Sequence, residues 1–477
     1  MRNVQYTFSI LALITITSVS YAQSELTSET ATQALRRAVS FFHDNVATEG
    51  GYLWRYSADL AKREGEGKAD DQTIWVQPPG TPTIGLALLH AYARTNDRLY
   101  LDVARDAGLA LVRGQLRSGG WDYRVQFDNR RKGWAYRVDP EGEKQRNVST
   151  LDDNTVQSAT RFLMQLDQTL GFKDDAIHEA ALFSLNTLLN VQYPNGAWPQ
   201  RFTQPPDSDK FPVKKAAYPE TWSRTYPKVD YRSYYTFNDN TIADTIELMF
   251  DAAETYEDDR YRESAIKAAD FILLAQMPDP QPAWAQQYNA DMEPAWARKF
   301  EPASVTGGES QGIMRTLIDV YRRTGDAKYL VAAERALTYL KTCVLPDGQM
   351  ARFYELHTNT PLYFTMDYQL TYDDSDMPTH YSFKANHSLD RIEQNLAKAR
   401  KESAPVQRPA PRAPKMSDAM TERAAAAISA QDERGAWVEQ GRLKYHGDDD
   451  PTTAIIDCAT FNRNVRVLAD FIAALSI

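Results

Sequence analysis

The sequence predicts an all-α fold, an array of helical hairpins curved or closed into an α/α toroid, and three observations carry that prediction. A small-residue turn bearing an aromatic recurs along the chain: GGYLWRY ending at Tyr56, GGWDYR ending at Arg124, NGAWPQRF ending at Phe202, PAWAQQY ending at Tyr288, DGQMARFY ending at Tyr354 and GAWVE ending at Glu439. Trp54, Trp121, Trp198 and Trp284 mark this turn at unequal spacings, as similar units with loops of different length would. Between the turns the apolar residues keep a helical period, and strand alternation is scarce. One hairpin cannot bury its own apolar face, so neighbouring units must supply the core.

The helices follow in order. Ala159, Phe162, Leu163 and Leu166 fall on one face of a first helix, with Leu182, Leu185 and Leu189 on its partner. Ile242, Ile246, Met249 and Phe250 form the stripe of the next unit. Ile313, Leu317, Val320 and Tyr321, followed by Leu330, Ala333, Leu337 and Leu340, form that of another. Two segments interrupt the pattern: Gln126 to Asn147 reads as an inserted loop, and Lys401 to Lys415 (KESAPVQRPAPRAPK) as a Pro/Ala-rich linker. A helix around Ala424 and another over Ala454 to Leu475 read as the final hairpin of the same domain.

At the N-terminus, Arg2 precedes an apolar run that ends in Ser20, Tyr21 and Ala22. This reads as a secretory signal over residues 1–22, cleaved near Gln23 and leaving one domain over 23–477; a membrane anchor is the alternative. No other stretch has the length of apolar sequence a membrane span needs. Export to the periplasm or beyond follows. Cys343 and Cys458 are the only cysteines, and a bridge between them is neither required nor excluded. The net charge of −10 argues against nucleic acid and anionic membrane as partners.

In an antiparallel hairpin the start of the first helix and the end of the second lie at the same end. One face of the array therefore collects Asp152, Asp153 and Asn154, then Trp198 and Gln200, then Asn238, Asp239 and Asn240, then Arg298, and finally Arg352. The stretch Pro294 to Ser310 (PAWARKFEPASVTGGES) interleaves aromatics, cations and carboxylates and reads as an ordered loop on this face. Each candidate has a plain reading beside the functional one. Asp and Asn ahead of an apolar-periodic helix serve as N-caps, or, assembled across two units, as oxygen ligands for a hard cation such as calcium. Trp198 fills the gap between hairpins, or offers a flat face to a sugar ring. Arg298 and Arg352 form surface ion pairs, or bind carboxylates bidentately. No zinc-spaced histidine pair, nucleophile elbow or phosphate loop appears.

Taken together, LDDN followed by RFL, YPNGAWPQ, TFNDN, WAQQY, PAWARKFEP with GES, and ARFYELHTN resemble the pectate lyases of polysaccharide lyase family ten, over roughly Asn147 to Pro361. The resemblance implies an open α/α toroid that cleaves de-esterified homogalacturonan by calcium-dependent anti-β-elimination, acting endo and as a monomer on polygalacturonate. It implies that Arg298 is the base, that Asp239 and either Asp152 or Asp153 serve the metal, and that Arg352 binds a substrate carboxylate. Trp198, Gln200, Lys299 and Asn359 are implied as further substrate-binding residues. An arginine base strains ordinary chemistry, because guanidinium stays protonated in water; flanking cations would have to favour its neutral form. The chain departs from the family pattern at Asn195-Gly196-Ala197-Trp198, at DDNTVQSAT and in the long segment between Phe202 and Tyr235. A glycoside hydrolase using two carboxylates and a non-catalytic pectin-binding protein are the competing readings.

Overall fold

A computed structural model describes residues 26–138, 144–406 and 414–476. The expected export signal over 1–22 lies outside them, as do parts of the inserted loop and of the linker. Among the described residues the helices are α1 (Ser28–Phe41), α2 (Thr81–Thr95), α3 (Arg98–Gly114), α4 (Thr155–Thr169), α5 (Asp175–Asn190), α6 (Thr241–Tyr256), α7 (Asp259–Leu274), α8 (Gly307–Thr324), α9 (Lys328–Lys341), α10 (Leu389–Ala399), α11 (Asp418–Ser429) and α12 (Cys458–Leu475). They form two rows. In one row α12, α2, α4, α6, α8 and α10 pack successively on one another; α1, α3, α5, α7 and α9 pack behind them. The fold is the all-α toroid of hairpins that the periodicity predicts.

The turns inside the hairpins are short because Asp97, Asp174 and Asp258 each cap the second helix, accepting from the backbone N–H of Leu99, Ile177 and Arg260. The predicted stripes are buried, apart from Leu182, Leu189 and Tyr321 at their margins. In α5 the buried face runs instead through Ile177, Ala180, Ala181, Ser184, Leu185 and Leu188. The final hairpin differs from expectation. α11 does pack on α12, but α12 also packs on α1 and α2, so the first and last helices among the described residues meet.

In five of the six units the recurring turn has one geometry. Gly50, Gly119, Gly196, Gly348 and Gly435 all take positive φ, between 78° and 100°, a region that glycine enters freely. At Gly196 a Cβ would lie 2.1 Å from the carbonyl oxygen of Lys267, so no larger residue fits. Two residues further on, Tyr52, Trp121, Trp198, Met350 and Trp437 are all buried. The indole N–H of Trp121, Trp198 and Trp437 donates to the carbonyl of Leu111, Leu188 and Ala427 respectively, at 2.7–2.8 Å. This corrects two expectations. Trp54 does not occupy the repeat position; Tyr52 does, and the Trp54 indole binds the Gln77 carbonyl instead. Trp198 is 0% exposed, so it has no ring face to offer a sugar and serves as packing between hairpins.

Short antiparallel ladders clasp the hairpins. Thr73–Trp75, ahead of α2, pairs with Arg124–Gln126, after α3; Ser149–Thr150, ahead of α4, pairs with Arg201–Phe202, after α5. Tyr235–Thr236 pairs likewise with Gln287–Tyr288, Val305–Thr306 with Phe353–Tyr354, and Ala454–Asp457, ahead of α12, with Arg55–Ser57, after α1. These ladders hold the starts of the first-row helices and the ends of the second-row helices together, on the face where the polar candidates were expected.

Replacing Trp198 with alanine removes a large buried ring and its hydrogen bond. The expected loss, read by chemical denaturation, is about 3–5 kcal/mol, and binding of any saccharide by the folded variant should be little changed.

Candidate active site

The two motifs Thr150-Leu151-Asp152-Asp153-Asn154-Thr155 and Thr236-Phe237-Asn238-Asp239-Asn240-Thr241 fold identically, ahead of α4 and α6. In each, the first threonine accepts from the backbone N–H of the third residue (3.1 Å), and the last threonine donates to that residue's carbonyl (2.9 and 3.0 Å). Asp153 and Asn154, and Asp239 and Asn240, all have positive φ, between 49° and 59°. Asp and Asn tolerate this left-handed region better than other side chains, and pairs of such residues gather where function holds them. Asn154 and Asn240 make no side-chain cap hydrogen bond, so capping does not explain the motif. The twist turns the Asp153 and Asp239 carboxylates into a common cleft.

There, Asp152, Asp153 and Asp239 each present a carboxylate oxygen within 4.8 Å of the others. Asp152 accepts from the Tyr123 hydroxyl (2.8 Å) and the Gln200 amide (2.9 Å), and Arg201 stands 3.9 Å away. Asp153 accepts from the Gln77 amide at 2.9 Å, and the Asn238 amide donates to Asp239. Most of these partners are neutral, so the negative charge is largely uncompensated. Burial, then repulsion from Asp152 and Glu66, raises Asp153 to about 6. Burial, then Asp153 and Asp152, raises Asp239 to about 7, although one side of that residue stays open to the cleft. A donor set made only of carboxylate oxygens fits a hard divalent cation. Asp152 and Asp153 both bring an oxygen to the group.

Arg298 faces this cluster from the loop ahead of α8. Its guanidinium donates to Glu301 at 2.6 Å and lies 5.3 Å from the Phe300 ring centroid. Burial works against its charge, but the hydrogen bond and charge of Glu301 outweigh burial, and the proton is held more firmly than on free arginine. The immediate neighbour of Arg298 is therefore a carboxylate, Glu301. The loop Pro294 to Ser310 also ends sooner than expected, because Gly307 to Ser310 form the first turn of α8, capped by Thr306.

Arg352 is ion-paired with Glu309 and sits 4.2 Å over the ring of Tyr381; its Nε is buried without a partner. Lys299 is exposed, lies 4.2 Å over the Tyr368 ring and has no carboxylate partner among the described residues. Gln200 is on the site, where its amide nitrogen donates to Asp152. Asn359 is elsewhere. Its side chain is engaged by Tyr339, Gln281 and Cys343, so its polar atoms are used inside the fold. Cys343 and Cys458 are free thiols, both buried. Sequence reasoning missed Gln77, Tyr123, Gln286, Glu301 and Tyr381. Three of them stand inside motifs already singled out: Glu301 three residues after Arg298 in PAWARKFEP, Gln286 in WAQQY and Tyr123 in GGWDYR.

Residues 115–319 match the family model described as pectic acid lyase. The span runs from the end of α3 into α8 and includes the three aspartates, Arg298 and Glu301, but not Arg352 or Asn359; over it the chain is similar to a pectate-lyase-like polysaccharide lyase. None of the curated proteins matches. Among solved structures, the family 10 polysaccharide lyase from Cellvibrio cellulosa aligns at 21% identity and a TM-score of 0.45, covering 67% of this chain and 96% of that one. An aspartate-to-alanine variant of that lyase in complex with trigalacturonic acid aligns at 21% identity and 0.44, covering 67% and 97%. A D-mannose isomerase aligns at 14% identity and 0.46, covering 94% and 98%. Among the described residues no helix is long and apolar enough to cross a membrane.

The raised carboxyls set a pH dependence. Asp153 and Asp239 bind protons more readily folded than unfolded, where 3.8 is the ordinary value. Their contribution to stability is therefore complete below about pH 4 and lost as pH rises through about 6 to 7. In chelator, the Tm contribution of this cluster should fall across that window, and added calcium should restore it most at the upper end. The Asp153→Asn, Asp239→Asn double variant should lose both effects.

Proposed function

We propose that the chain is an exported, monomeric, calcium-dependent pectate lyase that cleaves α-1,4-linked polygalacturonate endo, by anti-β-elimination, to 4,5-unsaturated oligogalacturonides. The observation that carries this reading is the convergence of Asp152, Asp153 and Asp239 opposite Arg298, on the face that also holds Arg201 and Arg352. It is supported by the match of residues 115–319 to pectic acid lyase.

The three aspartates would hold calcium, which when bound supplies a Lewis acid for the uronate carboxylate and makes the proton on C5 more acidic. Arg298 takes that proton at a guanidinium nitrogen. Arg352 and Lys299, which has no carboxylate partner among the described residues, hold carboxylates of the polymer, and aromatic rings flank Arg298 and Arg352. The C4–O bond breaks, the C4=C5 double bond forms, the departing sugar oxygen takes a proton from water, and the proton on Arg298 returns to solvent. An acidic protein binds a polyanion here because local arginines and a divalent cation invert the sign of charge inside the cleft.

The test is the ultraviolet absorbance of unsaturated product from polygalacturonate at mildly alkaline pH, with calcium or with chelator. A rise that chelator abolishes is expected. New reducing ends without that absorbance would mean hydrolysis, and binding with neither would mean a non-catalytic protein. In the same assay Asp239→Ala should raise the calcium concentration needed for half-maximal rate by at least about tenfold, the scale on which even supporting residues act on metal sites. If its calcium dependence matches that of the unaltered protein, Asp239 does not serve the metal.

Arg298→Ala should lower kcat by roughly 10²- to 10⁴-fold, the usual range for loss of a positioned proton acceptor, and leave KM within a few-fold. An unchanged kcat would remove Arg298 from the chemistry.

A further inference from the structure

Glu301 is 2% exposed, and an unpaired carboxylate at that depth is costly. It is fully occupied instead. One oxygen accepts from the Arg298 guanidinium (2.6 Å), the Gln286 amide (2.9 Å) and the Tyr381 hydroxyl (3.1 Å); the other accepts from the Arg298 backbone N–H (3.2 Å). The backbone closes the same loop. The Glu301 N–H donates to the Arg298 carbonyl (2.9 Å), the Ala297 N–H donates to that of Glu301 (3.1 Å), and the Trp296 indole reaches the Arg298 carbonyl (2.9 Å). Arg298 is thus gripped at both its backbone and its guanidinium by one buried side chain.

The grip reaches further. The Gln286 amide that donates to Glu301 also donates to Asn238 Oδ1 at 2.6 Å, in the turn that carries Asp239. Tyr381, beneath Arg352, donates to Glu301 as well. Glu301 is therefore the junction between the aspartate side of the cleft and its arginine side.

We propose that Glu301 is a positioning residue for the elimination, fixing the plane of the Arg298 guanidinium against the carboxylate cluster and confining proton abstraction to alkaline solution. The inference rests on the lyase reading above. The carboxylate stabilises the charged guanidinium, while a base must be neutral when it takes the C5 proton; orientation and basic readiness are therefore set against each other by one residue. The other titratable groups facing Arg298 are Tyr381, Tyr231, Asp153 and Asp239, and each is the same in the variants below.

The experiment compares pH–rate profiles of the full-length protein on polygalacturonate in saturating calcium. Glu301→Gln keeps a hydrogen-bond acceptor of nearly the same shape but no charge. Its rising limb should move to lower pH by roughly one to three units, the effect of an opposite charge at this distance, with KM little changed. Glu301→Asp keeps the charge on a shorter arm; its limb should stay near that of the unaltered protein while kcat falls. The guanidinium carbon resonance of Arg298, in arginine-labelled protein and assigned through Arg298→Lys, should titrate lower in Glu301→Gln without any turnover. Limbs that coincide in all three proteins, or equal displacement in both variants, would reduce Glu301 to a structural role and overturn the proposal while the lyase reading stands. Absence of unsaturated product from the unaltered protein would overturn both.

Discussion

The site depends on a clasp only a few residues long. Wherever a hairpin closes with an antiparallel ladder, as Ser149–Thr150 does with Arg201–Phe202 and Tyr235–Thr236 with Gln287–Tyr288, the start of one helix is fixed beside the end of another. Two backbone hydrogen bonds are modest in energy, but their position is decisive. They place the Asp-Asn turns at the helix starts and the Gln and Arg side chains of the tails on one face. Because α4 and α6 pack side by side, the two turns become neighbours and their carboxylates meet, although more than eighty residues of chain separate Asp153 from Asp239. Repetition of one supersecondary unit builds a composite site that no single unit contains.

Much of this was legible. Periodicity in Ile242, Ile246, Met249 and Phe250 fixes a buried helical stripe because 3.6 residues per turn leave no other face for the core. Antiparallel hairpins also bring the polar candidates to one end of the array, whatever the side-chain packing. What escaped is instructive in kind. Trp198 looked like a sugar platform because an aromatic in a glycine turn has two uses, and only the backbone path at Gly196 decides between them: it drives the ring inward, to the Leu188 carbonyl. Asn359 shares a motif-like stretch with Arg352, yet its positive φ of 60° turns it into a pocket of Tyr339 and Gln281. Gln77 and Tyr381 lie far from the aspartates in sequence and carry no pattern, so only tertiary structure reveals them.

The capping expectation for Asp153 and Asp239 failed for a physical reason that bears on function. A capping side chain must fold back onto free N–H groups of its own helix, which requires an extended backbone at the cap. Both turns take the left-handed conformation instead, sending the carboxylates away from the helix and into the cleft. The positive ends of α4 and α6 still lie beneath them, which favours negative charge there without consuming the carboxylate oxygens. The sequence T-x-[D/N]-D-N-T thus spends its conformational strain on orientation.

The same economy explains the choice of neighbours around the cluster. Three glutamines, Gln77, Gln200 and Gln286, supply hydrogen bonds to Asp153, Asp152 and the Asn238 turn. Lysine or arginine at those positions would orient the carboxylates equally well and neutralise them, leaving nothing to attract a cation. An amide donates a hydrogen bond and adds no net charge, so the aspartates are held in place without being neutralised; burial first, and then their mutual repulsion, raises Asp153 and Asp239. Across the cleft the logic reverses: Arg298 is held by a buried carboxylate, Glu301, and Arg352 by a half-buried one, Glu309. One wall therefore keeps an unmet negative charge and the other a restrained positive one. On the proposed lyase reading, a metal ion and a uronate carboxylate bound together would complement both walls better than either would alone, because each would supply the charge that the other needs.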